Sequence, residues 1–392
     1  MSGKQAYVVC AGCPESRIDS ARIQNFLMEN GWNITDKLED ADLVMFRGCG
    51  LTKVNVDESL QLIRNIKSRK KEGAQFIVWG CLSKINQEAL RTVYSGVTFG
   101  EDEADVLNKI LEAKKPLAEV VANSVMPILK FHWSGLGGFL GKIDDFLSSK
   151  FSIIKSEKIF QIKVSTGCLD NCSFCAVHIS RGVVRSKSID ENVSEFRDGL
   201  NKGFRYFGLL ATDLGAYGKD IGHNLVDLLT ELTKEKGDYR IGLRNINPYH
   251  LNDMFEQLRP FFASGKIWFL SSAAESGSNR ILKLMRRQYT IQEYIKCFRI
   301  LNNEYSNIFL STQLMVGFPT ETNEDFQITK QLTNAVKFDW VEVYTFSPAN
   351  GTTASTMTGQ VPEAIKKARF CQLYRKTIFQ HPHRKMRQLF CL

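Results

Sequence analysis

The sequence predicts an α/β protein with two successive parallel sheets, because two series of short apolar strands alternate with helical patterns. The first series occupies residues 1–115, and the second begins near residue 158. A chain of 392 residues is long enough for two or three domains. We therefore expect an N-terminal doubly wound sheet followed by a second, larger α/β domain.

In the first series, apolar runs predict buried strands at residues 6–9, 42–46 and 76–79. A helical pattern begins at Asp19, and further helices are expected over residues 54–70 and 101–113. Each predicted strand is followed within four residues by a cysteine, namely Cys13, Cys49 and Cys81. Because the carboxyl ends of parallel strands meet at one edge, these thiols are expected to converge there and to hold a metal cluster. Cys10 offers an alternative, since Cys10 and Cys13 form a C-x-x-C pair of the redox type.

In the second series, strands are expected at residues 160–164, 206–210, 240–243, 267–270, 309–315 and 340–344. Helices fall between them, for example over residues 191–202, 225–236, 251–262, 291–303 and 323–336. Six strand–helix units predict a partial (β/α)6 barrel that resembles an open TIM barrel. In such barrels the chemistry lies at the C-terminal ends of the strands.

Directly after the first barrel strand stand Cys168, Cys172 and Cys175, with the spacing C-x3-C-x2-C. Three thiolates on so short a loop can hold three irons of a cubane cluster and leave the fourth iron open. A zinc site would need a fourth ligand, for which His178 is available. A disulfide framework would need an oxidising compartment, and no secretion signal is recognisable at the N-terminus. The spacing is the signature of the radical S-adenosylmethionine (radical SAM) superfamily, which the chain resembles.

Several further motifs narrow the resemblance to the radical SAM methylthiotransferases. The stretches 12–20, 47–52 and 79–81 are similar to the three N-terminal cysteine motifs of that family. Barrel motifs follow in the family's order at residues 216–220, 247–248, 275–278, 284–287, 316–319, 346–348 and 351–352. The match covers nearly all of residues 6–362, and several independent motifs in the right order make it specific.

The resemblance implies two 4Fe–4S clusters and S-adenosylmethionine as cofactors. The cluster on Cys168, Cys172 and Cys175 would generate a 5′-deoxyadenosyl radical, and the cluster on Cys13, Cys49 and Cys81 would deliver sulfur to a substrate carbon. A second S-adenosylmethionine would supply a methyl group. The residues expected to contact S-adenosylmethionine are Glu275, Ser276, Thr212, Gln313, Val316, Gly317, Phe318 and Arg181. No catalytic residue beyond the clusters is implied.

Some positions depart from the family pattern. Gln313 is neutral where an acid is usual, and Thr212 and Ala274 lie in pairs that differ from the common ones. The predicted barrel domain, residues 158–362, is followed by only 30 residues, whereas the family continues into a small β-barrel that recognises the substrate. About 60–70 residues would be needed for such a domain. We therefore expect that this recognition domain is lacking and that the substrate is atypical, a peptide or small molecule rather than tRNA.

The remaining segments carry weaker signals. Residues 116–157 are expected to form a linker, which could be a lid, a packing helix or, least well supported, a membrane-surface contact. Residues 363–392 are expected to form a basic helix and tail, which carry a net charge of +7 out of +9 for the chain. This tail could meet RNA, or it could be a solvated helix face.

The sequence thus predicts a cytoplasmic radical SAM enzyme that inserts sulfur into an unactivated C–H bond and methylates it. Alternatives are sulfur transfer without methylation, a tRNA methylthiotransferase without its usual recognition domain, and an iron–sulfur sensor or RNA-binding protein without catalysis. The expected partners are an unknown substrate (peptide, small molecule or RNA) and an electron donor such as flavodoxin or ferredoxin. No membrane partner is expected, and the sequence does not indicate the oligomeric state.

Overall fold

A computed structural model describes residues 3–12, 14–103, 105–120 and 159–379 of the chain. Its internal contacts divide the chain into two compact units. The first, here called the sheet unit, comprises the described part of residues 1–132 together with residues 175–183 and 347–355. The second, the barrel unit, comprises the described parts of residues 133–174, 184–346 and 356–392.

The sheet unit is built on five parallel strands in the order β2-β1-β3-β4-β5. These strands are β1 Gln5–Cys10, β2 Asn33–Ile34, β3 Leu43–Arg47, β4 Gln75–Trp79 and β5 Val97–Phe99. The helices of this unit are α1 Pro14–Glu29, α2 Lys53–Arg69, α3 Cys81–Ile85, α4 Gln87–Arg91, α5 Val106–Ile110 and α6 Val177–Arg181.

Alternate strand residues of this sheet face opposite layers, which makes it doubly wound. Val44, Phe46 and Val78 pack with Leu60 and Ile63 of α2 in one apolar cluster. A second cluster on the other side contains Leu43, Met45, Ile77 and the α1 residues Phe26 and Leu27. Because side chains alternate along a strand, a sheet covered on both faces needs apolar residues at nearly every position. The predicted fold class of this region is confirmed.

The barrel unit contains six parallel strands in the order β13-β12-β11-β10-β9-β6. A two-stranded antiparallel ribbon, β7 with β8, follows the first of them. The strands are β6 Ile159–Lys163, β7 Ser165–Thr166, β8 Arg185–Ser186, β9 Tyr206–Leu210, β10 Arg240–Leu243, β11 Ile267–Ser271, β12 Phe309–Val316 and β13 Trp340–Thr345. The helices are α7 Ile189–Asn201, α8 Leu225–Thr233, α9 Pro248–Asp253, α10 Phe255–Ala263, α11 Asn279–Leu284, α12 Ile291–Glu304, α13 Asn323–Ala335 and α14 Glu363–Phe379.

Side-chain burial shows which face of the barrel strands is covered by helices. In β12 the side chains of Leu310, Thr312 and Leu314 are fully buried, whereas Gln313 and Met315 are partly accessible. The alternation places Gln313 and Met315 on the opposite face of the strand from the buried residues. In β13, which packs against α14, Val343 is buried, whereas its neighbours Glu342 and Tyr344 are accessible. We refer to the partly accessible face as the inner face of the barrel.

Four barrel helices begin with a capping box, in which the first residue and the third helical residue bond to each other's backbone N–H. The four pairs are Ser188–Glu191, Asn224–Asp227, Thr290–Glu293 and Thr322–Asp325. Each box provides partners for two backbone N–H groups that a helix leaves unpaired. These signals explain why the starts of these four helices were predictable to within two residues.

Three helix predictions differ from the structure in their bounds. Helix α1 begins at Pro14 rather than near Asp19, since proline is well suited to the first helical position. The helix expected over residues 101–113 is divided into a 3₁₀ turn at Glu101–Glu103 and the short α5. The helix expected over residues 251–262 starts earlier, with Asn247 as its cap, and is interrupted at Met254.

Residues 117–120 pack against the core of the sheet unit, where Leu117 and Val120 are buried. The rest of the expected linker, residues 121–157, and the end of the basic tail lie outside the described residues. Among the described helices, none combines the length and the apolar character needed to cross a lipid bilayer. The proposed domain boundaries remain a prediction.

Candidate cluster sites

Cys49 and Cys81 lie just beyond the ends of the neighbouring strands β3 and β4. The Gly48 N–H bonds to the Trp79 carbonyl at 2.9 Å, and the Leu82 N–H bonds to the Gly48 carbonyl at 3.2 Å. Gly50 permits this close approach, because a Cβ there would lie 2.9 Å from Leu82 Cα. The parallel register therefore brings both cysteines to the same sheet edge, as the sequence predicted for this pair.

The Cys49 segment is tied to the start of α2. The Cys49 N–H donates to Ser59 Oγ at 3.1 Å, and Ser59 Oγ donates to the Cys49 carbonyl at the same distance. Asn55 Nδ2 lies 3.4 Å from Cys49 Sγ. Such contacts restrain the sulfur and favour one orientation of the thiol, as the surroundings of metal ligands do.

Cys13, the third predicted ligand of this site, lies outside the described residues. The structure does place Cys10 at the end of β1, which pairs directly with β3. The structure therefore describes two members of the predicted triad, Cys49 and Cys81. The complete triad, which includes Cys13, remains a prediction.

Cys81 packs against the segment that follows the barrel loop. Cys81, Ile85, Ala176 and Ala349 form one buried apolar cluster within the sheet unit. Helix α3, which starts at Cys81, contacts α6. Ala176 directly follows Cys175, so the end of the C-x3-C-x2-C loop belongs to the same packed group as a predicted ligand of the sheet edge.

Arg181, at the end of α6, is buried and is surrounded by carboxylates. Its Nη1 contacts Glu15 Oε2, and its Nε lies 3.5 Å from Glu101 Oε2. Only 4% of its side chain is accessible. Its predicted role as a contact of S-adenosylmethionine remains untested.

In the barrel unit, Cys168 and Cys172 each have a polar neighbour at the sulfur. The Asp170 N–H points to Cys168 Sγ at 3.4 Å, and Arg287 Nη1 lies 3.5 Å from Cys172 Sγ. Burial raises the pKa of the Cys172 thiol, while the Arg287 guanidinium favours the thiolate and offsets part of that rise. Burial also disfavours the charge on Arg287, but Tyr289, Cys172 and Glu275 outweigh it and hold the Arg287 pKa above its usual range. A fixed positive charge therefore faces this sulfur.

The barrel loop is anchored by its backbone and by an aromatic contact. The Ser173 N–H bonds to the Met285 carbonyl at 3.1 Å, and its hydroxyl bonds to the Leu284 carbonyl at 2.8 Å. Phe174 meets Phe318 edge to face, with ring centroids 6.5 Å apart. Phe318 of the Val316–Phe318 turn therefore contacts the cysteine loop, and the predicted contact of this turn with S-adenosylmethionine remains a prediction.

A cluster of buried polar groups lies next to Cys168. Donor atoms of Cys168, Asp170 and Asp213 are within 4.8 Å of one another. Asp213 accepts hydrogen bonds from the Gly215 and Asn247 N–H groups, each at 3.0 Å, and lies 3.4 Å from His250. Burial raises the Asp213 pKa and lowers the His250 pKa, so both groups are shifted toward their neutral forms.

The chemistry of these donors fits a 4Fe–4S cluster better than an isolated divalent ion. The three cysteines of the barrel loop are only partly buried. Iron–sulfur clusters are held by thiolates, and the arginine beside Cys172 stabilises a thiolate. The set of Cys168, Asp170 and Asp213 has one thiolate and two carboxylates, and its carboxylates already accept hydrogen bonds from Asn247.

Glu275 and Gln313 lie at adjoining strand ends of the barrel unit. Glu275 follows β11 in a left-handed conformation with φ of 57°, and its N–H bonds to the Gln313 carbonyl at 2.9 Å. Burial raises the Glu275 pKa, and Arg287 lowers it to a smaller extent. On the inner face, Gln313 Nε2 donates to Glu342 Oε2 at 3.1 Å, and the Tyr344 hydroxyl donates to the same oxygen.

Two other predicted contacts have different surroundings. Ser276 is fully buried, and its hydroxyl lies 3.3 Å from Thr329 Oγ1 of α13 and accepts the Ser278 N–H. These contacts orient Ser276 toward a helix and away from the inner face. Thr212 is partly accessible and precedes the buried Asp213. Within the barrel unit, the structure thus groups Glu275, Gln313 and the Val316–Phe318 turn near the barrel loop, but it does not bring Ser276 into that group.

Sequence reasoning missed the roles of Arg287, Glu342 and Tyr344. Arg287 belongs to a recognised motif, yet its contact with Cys172 spans 115 positions of the chain. Glu342 and Tyr344 sit in a strand whose alternation was visible, and the neutral Gln313 was the available signal. A search for an acid directly across from Gln313 would have found Glu342, its register partner.

Comparison with known proteins agrees with this arrangement. Residues 162–333 match the family model of the Radical SAM superfamily, and residues 5–100 match the Uncharacterized protein family UPF0004. A radical S-adenosylmethionine methyltransferase, TsrM, from Kitasatospora setae shares the fold with a TM-score of 0.60 at 12% identity, over 90% of this chain and 77% of that one. The fold and the cysteine loop are those of a radical SAM enzyme, a class that uses S-adenosylmethionine and a 4Fe–4S cluster and needs an electron donor.

Two named relatives narrow the assignment from the superfamily to one family within it. A probable threonylcarbamoyladenosine tRNA methylthiotransferase from Archaeoglobus fulgidus is 30% identical over 91% of this chain and 80% of the relative. A ribosomal protein uS12 methylthiotransferase from Thermodesulfovibrio yellowstonii is also 30% identical, over 94% of this chain and 81% of the relative. The chain belongs to the radical SAM methylthiotransferase family.

Proposed function

We propose that this enzyme uses two clusters to insert sulfur into an unactivated C–H bond and then methylates that sulfur. Cys168, Cys172 and Cys175 would hold the cluster that supplies the electron for cleavage of S-adenosylmethionine. The residues Cys13, Cys49 and Cys81 would hold a second cluster with one open iron, where a sulfur species can bind.

The packing of Cys81 with Ala176 is the observation that carries this proposal. Within the sheet unit, a ligand of the second site and the residue after Cys175 share one buried apolar cluster. A radical formed at one site must meet sulfur at the other before it is quenched. Holding the two ligand segments in one packed group is the arrangement that such a transfer needs.

The barrel residues would bind and orient S-adenosylmethionine. Arg287 stabilises the Cys172 thiolate from 3.5 Å, and Phe318 packs on Phe174 of the loop. Gly317 has φ of 77° and donates its N–H to Glu321 Oε2 at 2.8 Å, which holds the turn in shape. Glu275 stands at the end of β11 as an acceptor for an ammonium or ribose hydroxyl group.

The substrate would meet the inner face of the barrel at Glu342 and Tyr344. The named relatives act on threonylcarbamoyladenosine tRNA or on ribosomal protein uS12, and both kinds match at about the same identity. Gln313 is neutral where the family pattern has an acid, which supports a substrate unlike those two. An electron donor such as flavodoxin or ferredoxin would reduce the clusters.

Anaerobic reconstitution with S-adenosylmethionine and dithionite tests this function. We expect about eight irons per chain and about four in a variant with Cys13, Cys49 and Cys81 all changed to Ala. With tRNA, uS12 protein and peptide pools as probes, methylthiolation adds about 46 Da and thiolation about 32 Da to the product. Formation of neither 5′-deoxyadenosine nor S-adenosylhomocysteine would refute the proposal, and a product with only the thiol mass would replace it with sulfur transfer alone.

A further inference from the structure

A network of five charged side chains lies buried at the cysteine edge of the sheet unit. Its members are Glu15, Asp19, Arg47, Glu101 and Arg181. Arg47 is 1% accessible and Arg181 is 4% accessible. Buried charges of this kind are rare in protein interiors unless they are paired, so their place in the fold calls for a reason.

Glu101 is the link between the two arginines. Its Oε1 contacts Arg47 Nη2, and its Oε2 lies 3.5 Å from Arg181 Nε. Arg47 also binds Asp19 Oδ2 at 3.1 Å, and its guanidinium lies 5.1 Å from the centre of the Trp79 ring. Each oxygen of one carboxylate therefore faces a different cation, and Glu101 bridges Arg47 and Arg181 directly.

The members of the network lie on segments that are next to predicted cluster ligands. Glu15 and Asp19 are on α1, which starts immediately after Cys13, and Arg47 is two residues before Cys49. Arg181 ends helix α6 within the segment 175–183, here called the arm, which begins with Cys175. The network thus joins the arm to the two strand ends that bear the other cysteines.

The position of Cys81 is coupled to the same turn. Glu101 follows β5, and the Phe99 carbonyl accepts the Gly80 N–H at 3.1 Å and the Ser83 hydroxyl at 2.7 Å. Gly80 has φ of 94° and directly precedes Cys81. The turn that aims Glu101 at the arginines is therefore also bonded to the segment that presents Cys81.

Buried ion networks contribute little net stability compared with apolar packing, because desolvation offsets most of the attraction. The sheet unit already has two large apolar clusters for that purpose. What an ion network adds is a strict geometry, since each charge must meet its partner. At this edge, such a geometry would hold the segments that carry the cysteines in fixed positions.

We propose that Glu101 is a positioning residue, which locks the arm that begins at Cys175 onto the sheet edge that carries Cys49 and Cys81 and thereby fixes the position of Cys175 relative to those two cysteines. The inference rests on the two-cluster function proposed above. It assigns a task to Glu101, Arg47 and Arg181 that no cluster ligand performs.

The variant Glu101→Gln tests this role, because it keeps the volume and removes the charge. The matched control is Glu103→Gln in the same 3₁₀ turn, whose carboxylate is paired with Lys84 at the surface. Both variants are purified anaerobically and reconstituted, and iron content is measured first. The magnetic interaction between the two reduced clusters is then measured by electron paramagnetic resonance without any substrate. Hydrogen exchange of the arm is followed in the same samples.

We expect Glu101→Gln to retain about eight irons, with weaker magnetic interaction and at least about tenfold faster exchange in residues 175–183. Glu103→Gln should match the unchanged protein in all three measurements. With an accepted substrate, sulfur insertion per 5′-deoxyadenosine formed should fall about tenfold or more in Glu101→Gln, since misplacement of about 1 Å can cost that much.

Magnetic interaction and arm exchange that stay unchanged in a folded Glu101→Gln variant overturn the inference. If Glu101→Gln does not fold, Glu101→Asp decides, and behaviour like that of the unchanged protein then overturns it as well. A failure of the proposed function looks different. The unchanged protein would then bind only about four irons, and none would be lost when Cys13, Cys49 and Cys81 are replaced.

Discussion

The sheet unit and the barrel unit both present cysteines beyond the carboxyl ends of parallel strands, but they assemble them differently. In the barrel loop the three cysteines lie within eight consecutive positions, 168–175. At the sheet edge, Cys49 and Cys81 come from separate strands and meet through the register of β3 and β4. A local set of ligands depends on one loop, whereas a dispersed set depends on the whole sheet.

The charges behind the two sets also differ. Cys172 faces the fixed cation Arg287, and the nearby Glu275 has its pKa raised by burial. The sheet edge is backed by two arginines and three carboxylates, which carry a net charge of −1 when all are ionised. The barrel site thus favours anionic ligands, while the sheet site is held by mutual ion pairs. The following variants test this contrast.

Replacement of cysteines should separate the two sites by their chemistry. Changing Cys168, Cys172 and Cys175 to Ala should reduce 5′-deoxyadenosine formation to the level without enzyme, because no open iron remains for S-adenosylmethionine. Changing Cys49 or Cys81 to Ala should leave that formation within about threefold and abolish sulfur insertion. Chromatography of 5′-deoxyadenosine and mass spectrometry of the product measure both. If both groups of cysteine variants lost 5′-deoxyadenosine formation equally, the two sites would not have the separate functions proposed.

Loss of a buried arginine should cost more at the sheet edge than in the barrel unit. Arg47→Met leaves Asp19 and Glu101 without their partner, and Arg369→Met leaves only Glu321, which Arg369 binds at 2.5 Å. We expect destabilisation of about 3–5 kcal/mol for a broken buried pair, with Arg47→Met the larger of the two. Urea unfolding followed by circular dichroism measures the change.

Arg259→Met is the control for this comparison, because Arg259 and Glu304 form an exposed pair at 2.6 Å. It should change the free energy of unfolding much less than either buried variant, because exposed ion pairs contribute little to stability. A cost for Arg47→Met no larger than this control would mean that the sheet-edge network is stabilised by solvent rather than by its members.

The barrel unit should lose stability in acid through Asp325. Burial disfavours the Asp325 charge, but hydrogen bonds from Arg280, Ser278 and Thr322 outweigh it and lower the pKa well below the usual range. A carboxyl with a lowered folded pKa stabilises the fold above its unfolded pKa of about 4, and that stability is lost as the pH falls further. Asp325→Asn should cost about 2 kcal/mol at pH 7 and show a flatter decline below pH 4. Parallel acid unfolding curves for both proteins would argue against this account.

Alkaline conditions should lower the stability of both units, because each contains buried tyrosines. The effect of changing Tyr94 is the smallest that we expect. Burial raises the pKa of Tyr94 in the sheet unit to about 12, and it does the same for Tyr217 and Tyr239 in the barrel unit. Since an unfolded tyrosine ionises near pH 10, stability is present below that pH and is lost as the pH rises through 12.

Tyr94→Phe removes one of these groups together with its hydrogen bond to the Phe76 carbonyl. We expect a cost of about 1 kcal/mol at pH 7 and a smaller difference at pH 11. Denaturant unfolding at the two pH values measures it. An equal cost at both would show that folding does not raise the Tyr94 pKa.

Much of the fold was readable because the strands are apolar and the helices are well capped. The six barrel strands were predicted to within one or two residues, and four helices start at capping boxes. The division of the helix expected over residues 101–113 into a 3₁₀ turn and a short helix could not be predicted from the sequence. Glu101 leaves a regular helix to meet Arg47 and Arg181, two arginines from distant segments that no local pattern reveals.

The candidate site likewise has parts that the sequence predicts and parts that only the tertiary structure shows. The barrel cysteines and the Val316–Phe318 turn were recognisable from short motifs. Arg287 beside Cys172, and Glu342 opposite Gln313, required the strand order and register. The part of the sheet-edge site that depends on Cys13 remains a prediction from the sequence.

The sequence by itself determined the class of chemistry, because cluster ligands on one loop depend only on spacing and on the affinity of thiolates for iron. Tertiary structure decided which charges and packing surfaces meet those ligands. Arg287 reaches Cys172, Glu101 joins Arg47 to Arg181, and Cys81 packs beside Ala176 only once the strands are in register. Such contacts join residues far apart in the chain, and their geometry is set by the packing of whole sheets and helices, which no local pattern encodes.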